Sequence, residues 1–143
     1  MLKNLILIAI SVAVPPLLFF TVPYMIYLFL TFNTRKEKYF NDAIIWRTGG
    51  LFGTGDIDIN KSVNLYKKAT SMGHAEAAFH LGEMYADGVT RSGFTGYLLT
   101  PEPLLSQTYF KRCHALSPTV FAQLHAQREQ MFEEIRSKLN FDF

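Results

Sequence analysis

The chain begins with one long apolar segment and continues with amphipathic stretches. From Asn4 to Thr34 there is no Asp, Glu, Lys, Arg or His, and residues 5–32 read LILIAISVAVPPLLFFTVPYMIYLFLTF. A helix of that length rises about 1.5 Å per residue and exceeds the roughly 30 Å hydrocarbon core of a bilayer. The run is longer than the apolar part of a signal peptide, and no small-residue cleavage site follows it. We therefore expect residues 1–34 to form an uncleaved transmembrane anchor.

Three prolines interrupt this apolar run, namely Pro15, Pro16 and Pro23. Proline removes a helix hydrogen bond and tends to kink the helix, and inside a bilayer the freed carbonyl groups need another partner. The prolines therefore predict a kink in the membrane helix. The sequence favours a simple bend in a lone anchor over an interface with a second membrane protein.

The charges on either side of the run bear on its orientation. Arg35, Lys36 and Lys38 follow it, whereas only Lys3 and the α-amino group precede it. The positive-inside rule then favours the cytoplasm for the rest of the chain. A short basic N-terminus is equally typical of a signal anchor that places the rest of the chain outside. The expected localisation is a single-pass membrane protein, in the inner or plasma membrane if the chain is bacterial.

Beyond residue 34 the apolar positions recur with helical spacing and little strand alternation. A helix is predicted over 61–72, with Asp58 or Asn60 as its N-cap and Gly73 as the glycine that ends it. One stripe of this helix holds residues spaced i, i+3, i+4, i+7 and i+8: Ser62, Leu65, Tyr66, Ala69 and Thr70.

Four more helices follow from the same kind of pattern. One covers 75–87 and stops at Gly88, so it must fold back on the preceding helix as a hairpin. Others are predicted over 38–52, from Thr100-Pro101 to Leu116, and from Pro118 to about Leu139, where the prolines suit a first helical turn. The expected fold class is all-α, with one N-terminal transmembrane helix followed by a short α-solenoid of antiparallel helix pairs.

Internal repeats support the solenoid. Gly49 and Gly55 recur 33 residues later as Gly82 and Gly88, and the segment YKKA at 66–69 recurs 44 residues later as FKRC. The two spacings differ by 11 residues. This difference predicts an insertion in the loop Val89 to Leu99, within otherwise regular helix pairs.

Residues 58–88, DINKSVNLYKKATSMGHAEAAFHLGEMYADG, resemble a Sel1-like repeat, a helical relative of the tetratricopeptide repeat. The resemblance implies stacked helix pairs and a role in protein–protein interaction and complex assembly. In a bacterium it also implies a role as the immunity partner of a secreted toxin. The residues that the resemblance assigns to the repeat structure are Asp58, Tyr66, Ala69, Gly73, Ala77, Leu81, Gly82, Tyr85 and Gly88.

The flanking segments fit the repeat less closely. The expected organisation is a transmembrane anchor over 1–34, a juxtamembrane helix resembling half a repeat over 35–57 and the Sel1-like repeat over 58–88. An inserted loop follows over 89–99, and a degenerate second repeat with a C-terminal cap fills 100–143. A terminal cap explains why the pattern fades, since the last helix has no neighbour to cover its far face.

Composition and charge narrow the possible functions. The chain is 49% hydrophobic and 15% aromatic, which excludes a disordered protein. Its net charge of +2 shows no basic patch, so no nucleic-acid partner is expected. The one cysteine, Cys113, excludes an intramolecular disulfide and occupies the small-residue position equivalent to Ala69, where a buried thiol is expected.

No catalytic or metal-binding set stands out. His74 belongs to the repeat pattern, and His80 lies six residues later, which is not the spacing of a zinc pair on one helix face. His114 and His125 have no acidic partner at a recognisable spacing. We therefore expect no enzyme activity, no metal and no cofactor.

The inserted loop is the candidate partner-binding site. Its sequence, VTRSGFTGYLL, sets two aromatic residues and an arginine among glycines, and such residues are common interface anchors. The candidate residues are Arg91, Phe94 and Tyr97. The alternative is that Leu98, Leu99 and one aromatic ring fold into the solenoid as a local plug.

The sequence thus favours a membrane-anchored Sel1-like adaptor that binds another protein, itself membrane-associated, and contacts the lipid bilayer. The alternative is a small structural accessory subunit of a membrane complex, held mainly through its proline-broken helix. A third hypothesis, an enzyme or small-ligand binder that uses the histidines, has no supporting constellation.

Overall fold

The computed structural model describes residues 16–50, 55–90 and 96–139. The chain divides into two compact units, Met1–Thr34 and Arg35–Phe143. The described residues form five helices and one two-stranded sheet. In chain order these are α1 (Pro16–Thr48), α2 (Ile59–Ser71), α3 (Ala75–Asp87), β1 (Val89–Thr90), β2 (Tyr97–Leu99), α4 (Pro103–Leu116) and α5 (Pro118–Leu139).

The prediction of a transmembrane helix, and with it the membrane localisation, is wrong. Among the residues that the structure describes, no helix combines the length and the apolar run needed to cross a membrane. Helix α1 is 33 residues long, but its apolar part gives way to Arg35, Lys36, Glu37 and Lys38 within the same helix. The sequence reasoning counted the apolar run as a separate element, whereas the helix continues into a charged segment.

The three prolines of the predicted kink have different positions. Pro15 lies outside the described residues, as do the other residues of the predicted anchor before it. Pro16 is the first residue of α1, where the missing N–H is not needed. Pro23 lies inside α1, and the helix assignment runs through it without a break.

The separate juxtamembrane helix predicted over 38–52 is instead the second half of α1, which ends at Thr48. Within Arg35–Phe143, this half supplies Phe40 and Ala43 to the core. The side chains that line the larger core come from α1, α2 and α3: Phe40, Ala43, Ile59, Val63, Tyr66, Ala69, Ala77, Leu81, Met84 and Tyr85.

The ends of α2 and α3 confirm their predicted caps. The side chain of Asp58 accepts a hydrogen bond from the backbone N–H of Lys61 at 2.9 Å, as an N-cap residue does. Gly73 and Gly88 follow the two helices with φ of 83° and 70°. These left-handed conformations favour glycine and end each helix, so α3 has the predicted bounds, Ala75–Asp87.

Helix α4 begins later than predicted, at Pro103 rather than at Thr100-Pro101. The N–H of Glu102 donates a hydrogen bond to the carbonyl of Tyr85 at 2.8 Å, which fixes an extended residue against the end of α3. Helix α5 begins at Pro118 as predicted, and the hydroxyl of Ser117 accepts a bond from the N–H of Val120 at 3.4 Å.

The predicted loop over 89–99 contains a short antiparallel ladder, which the all-helical expectation missed. Val89 pairs with Leu99 and Thr90 pairs with Tyr97. The strands have two and three residues, too short for the alternation that would announce them in the sequence.

A second core cluster joins α3 to the last two helices. Its fully enclosed residues are Ala78, Phe79 and Cys113. The rings of Phe110 and Phe121 contact Phe79 edge-on, with centroids 5.2 Å and 6.0 Å away. This cluster completes the hydrophobic interior beyond the first helix hairpin, as a neighbouring pair does in a stacked array.

Two pairs of hydrogen bonds reveal the register of the structural repeat. The hydroxyl of Ser62 donates to the carbonyl of Ala43 at 2.8 Å, and that of Ser106 donates to Gly82 at 2.9 Å. In the same way, the N–H of Asp58 donates to the Trp46 carbonyl at 3.0 Å, which matches the bond from Glu102 to Tyr85.

The first helix of each equivalent pair, α1 and α3, repeats after 39 residues, from Ala43 to Gly82. The second helix of each pair, α2 and α4, repeats after 44 residues, from Ser62 to Ser106. The longer connection therefore has five extra residues rather than the 11 that the glycine pattern suggested. The glycine at 49 corresponds in this register to Gly88 and not to Gly82.

Candidate functional site

An open groove runs between α2 and α4, with a volume of about 480 Å³. The contributing residues of α2 are spaced i, i+3 and i+4, and most of those of α4 share one helical face, so each helix presents one stripe. We call this cleft the α2–α4 groove. It is lined by Lys67, Thr70 and Ser71 from α2, and by Leu105, Thr108, Tyr109, Lys111 and Arg112 from α4.

The apolar part of the groove is held by the core beneath it. Leu105 and Tyr109 are half-buried and pack against the larger core cluster. The ring of Tyr109 stacks on that of Tyr85 from α3, with centroids 5.7 Å apart and planes at 6°. Since Tyr85 is only 4% exposed, this stack fixes the position of the Tyr109 ring.

The rim of the groove is cationic. Lys67, Lys111 and Arg112 are all exposed, and the lining includes no Asp or Glu. No ion pair among the described residues involves Lys111 or Arg112. Cations without an acidic partner leave an uncompensated positive field over the groove.

The ionisation of the groove follows from its contacts. A hydrogen bond with the Tyr85 side chain raises the pKa of Lys67 more than burial lowers it, and the nearby carboxylate of Glu102 adds to the rise. Burial raises the pKa of the Tyr109 phenol, with Lys67 opposing this shift. At neutral pH the groove therefore presents a charged Lys67 beside an uncharged Tyr109.

Thr70 adds a buried hydroxyl group that lacks a hydrogen bond within the described residues. It is 5% exposed, and its Oγ1 has no hydrogen-bond partner within the described part of the chain. A buried hydroxyl without a partner costs about 1–3 kcal/mol. The wall of the groove therefore includes a residue whose buried hydroxyl has no partner among the described residues.

One of the three residues that the sequence predicted for partner binding lies within the described part of the chain. Tyr97 is in β2 and is 54% exposed, whereas Arg91 and Phe94 lie outside the described residues. Leu98 is exposed, and Leu99 is half-buried against the core, as the alternative plug interpretation expected of it. The structure does not bring Tyr97 to the α2–α4 groove.

The residues assigned to the repeat structure are mostly buried. Tyr66, Ala69, Ala77, Leu81 and Tyr85 are each at most 4% exposed. Asp58, Gly73 and Gly88 occupy the helix ends described above.

At Gly82 of α3, the Phe110 ring of α4 leaves no room for a side chain. A Cβ atom placed there would lie 2.6 Å from Cε1 of Phe110.

Cys113 is fully buried, and burial raises the pKa of its thiol, which opposes reactivity.

His74 has a structural position. It is 7% exposed and caps α3, where its Nδ1 accepts a bond from the N–H of Ala77 at 3.3 Å. This bond leaves the proton on Nε2, which lies 3.2 Å from Oε2 of Glu37. Both ring nitrogens of His74 are therefore occupied by structural contacts.

The other histidines contact a carboxylate or aromatic rings. His80 Nδ1 lies 3.0 Å from the carboxylate of Glu83, and His114 and His125 flank the ring of Phe121. In the described ranges no group of three His, Cys, Asp or Glu side chains is placed to hold a metal ion.

Sequence reasoning missed the groove although one signal was present. The repeated segments at 66–69 and 110–113 each carry two adjacent cations, Lys67-Lys68 and Lys111-Arg112. They were used only to set the repeat register. Their equivalent positions also place cations on facing helices, which indicates a shared basic surface.

Searches of protein-family descriptions, curated proteins and solved structures find nothing that matches this chain. The resemblance of residues 58–88 to a Sel1-like repeat therefore has no support from known relatives and remains a prediction from those residues.

Proposed function

We propose that this chain is a protein-interaction module that binds a peptide segment of another protein in the α2–α4 groove. The observation that carries the proposal is a fixed apolar strip, Leu105 with the stacked Tyr109 ring. Beside it lie the exposed cations Lys111 and Arg112, which form no ion pair within the described part of the chain. An apolar strip with a few placed polar groups is the composition of a binding site.

The form of the groove favours a chain segment over a compact small molecule. Both walls are helices, and exposed residues such as Ser71 and Thr108 leave the cleft open to solvent along its length. A groove between two helices accommodates an extended or helical peptide, whose side chains at regular spacing reach the apolar strip. The implication of the repeat resemblance, protein–protein interaction, is consistent with this use.

A second contact surface is supported by the β-hairpin. Tyr97 and Leu98 are consecutive residues of β2 and are 54% and 37% exposed. An exposed aromatic residue is a common interface anchor. The hairpin is therefore a second candidate for the partner surface, and the same experiment separates the two.

The test is a selection of binding peptides from a random display library against the full chain. Thr108→Trp fills the groove by adding a ring at an exposed position without removing a core contact. The matched control, Gln127→Trp, adds the same ring at an exposed position of α5. We expect selected peptides to lose at least about tenfold in affinity for the Thr108 variant, a change of about 1.4 kcal/mol, and to keep their affinity for the control.

Tyr97→Ala completes the set. Peptides that bind the Thr108 variant normally but lose affinity for Tyr97→Ala would assign binding to the hairpin and contradict the groove proposal. Circular dichroism and thermal unfolding of each variant check that the helices are intact.

A further inference from the structure

We infer that the segment bound in the α2–α4 groove is an acidic peptide, with carboxylates on Lys111 and Arg112 and an apolar side chain on Leu105 and Tyr109. This inference rests on the proposed function and adds the chemical class of the ligand. Charge complementarity between the groove and its occupant supports this assignment.

The cations of the groove differ from those on α5. Arg128 contacts Asp87 at 2.9 Å and Glu83 at 3.9 Å. Further along α5, cations are paired within the helix itself, Arg136 with Glu133 and Lys138 with Glu134.

Lys111 and Arg112 are exposed, as Arg136 and Lys138 are, yet have no such partner among the described residues. The chain thus neutralises its α5 cations internally and leaves those of the groove available.

The two walls contribute unequally to recognition. Lys67 Nζ already lies 5.7 Å from the centroid of the Tyr85 ring, and the nearby Glu102 carboxylate contributes to its raised pKa, so part of its field is compensated. Arg112 presents a planar fork that matches a carboxylate in two parallel bonds. We therefore expect α4 to supply the main charge contacts, with Lys67 closing the opposite side.

The apolar strip distinguishes this site from a simple polyanion surface. Exposed ion pairs contribute little each, because water and salt screen them. Useful affinity then needs apolar contact with Leu105 and the flat Tyr109 ring as well as charge. A peptide that alternates acidic and apolar side chains meets both needs, whereas a polyanion without apolar side chains meets one.

The experiment measures fluorescence anisotropy of a groove-directed peptide from the selection, using the full chain. Its acidic residues are replaced by amides, Glu by Gln and Asp by Asn, which keeps shape and removes charge. Lys111→Glu with Arg112→Glu reverses the groove, and Arg136→Glu with Lys138→Glu gives α5 the same change in net charge. An oligodeoxythymidylate of equal charge serves as competitor.

The inference expects selected peptides to be rich in acidic residues and their amide versions to bind at least about tenfold more weakly. The variant with Lys111→Glu and Arg112→Glu should lose at least as much affinity for the peptide. The variant with Arg136→Glu and Lys138→Glu should keep its affinity within about twofold, and the affinity of the unmodified chain should fall as the salt concentration rises. The oligonucleotide competes poorly because it lacks apolar side chains.

Three outcomes would overturn the inference. Groove-directed peptides that are neutral or basic, amide versions that bind equally well, or an oligonucleotide that competes at equal charge would each do so. All of these leave the proposed function standing, since binding remains sensitive to Thr108→Trp. Failure of the proposed function has a different signature, because binding then ignores that substitution.

Discussion

The hydroxyl of Ser106 donates a hydrogen bond to the carbonyl oxygen of Gly82 at 2.9 Å, in a buried position where α4 approaches α3. An equivalent bond joins Ser62 to Ala43 at 2.8 Å, where α2 approaches α1. In both places a small residue lets the backbones come close, and a serine on the incoming helix fixes the distance. This pair of contacts is the clearest mark of a repeated architecture in the chain.

Ser106→Ala is expected to destabilise the fold by about 1 kcal/mol, since a buried side-chain bond is lost. Ser62→Ala is expected to have a similar effect because its bond is equivalent. The control is Ser137→Ala, which removes an exposed hydroxyl that donates to the Glu134 carbonyl at 2.8 Å. Urea unfolding of the full chain measures the differences, and a control as damaging as Ser106→Ala would contradict the assigned role.

Gly82→Ala is expected to destabilise by about 1–3 kcal/mol, because the new methyl group meets the ring of Phe110. The better helix propensity of alanine, about 1 kcal/mol, offsets part of this cost. In the double variant with Phe110→Leu the loss due to Gly82→Ala should shrink, since the smaller side chain makes room. A double-mutant cycle by thermal unfolding measures the coupling, and additive losses would show that the two residues do not meet.

The sequence predicted the helix ends best where a cap or a glycine determines them. Asp58 and Gly73 mark α2 by local chemistry alone, and the same applies to Gly88 after α3. The predicted start of α4 was wrong because the carbonyl of Tyr85, which is distant in sequence, accepts a hydrogen bond from Glu102 and holds that residue extended. Local rules carry no information about such a contact.

The larger errors also have physical causes. Counting an apolar run treated its boundary as the end of an element, whereas α1 continues through Arg35 into the core at Phe40. The groove was missed although the 44-residue spacing already matched Lys67-Lys68 with Lys111-Arg112, because that match does not show that the two segments line one cleft. The cleft also depends on Leu105 and Tyr109, which pack against the core from outside the repeated segments.

Stability is expected to fall as pH rises above about 10, in part because of Tyr66. Burial is the main cause that raises the pKa of this phenol above its ordinary value of 10.0, with Glu83 adding to the rise and Arg47 opposing it. Below pH 10 both states keep the proton, so the full contribution is present. Above pH 10 the Tyr66 phenol loses its proton first in the unfolded state. The free energy of unfolding therefore falls as the pH rises towards the pKa of Tyr66 in the folded state.

Tyr66→Phe tests this assignment, because it removes the titrating hydroxyl and keeps the ring, whose centroid lies 5.9 Å from that of Phe40. The loss of unfolding free energy between pH 9 and pH 11 should be smaller in this variant than in the unmodified chain. Tyr97→Phe, at an exposed position, is the control and should leave the loss unchanged. An identical loss in the Tyr66 variant would assign the alkaline sensitivity to other groups.

Thr70→Val is expected to raise stability by about 1 kcal/mol, which is unusual for a core substitution. The change replaces a buried hydroxyl that has no partner among the described residues by a methyl group of the same shape, so it removes a desolvation cost. Thr108→Val, at an exposed threonine that bonds the Leu104 carbonyl at 2.8 Å, should stay within about 0.5 kcal/mol of the unmodified chain. Urea unfolding at neutral pH measures both, and a destabilised Thr70 variant would mean that the hydroxyl has a partner in solution.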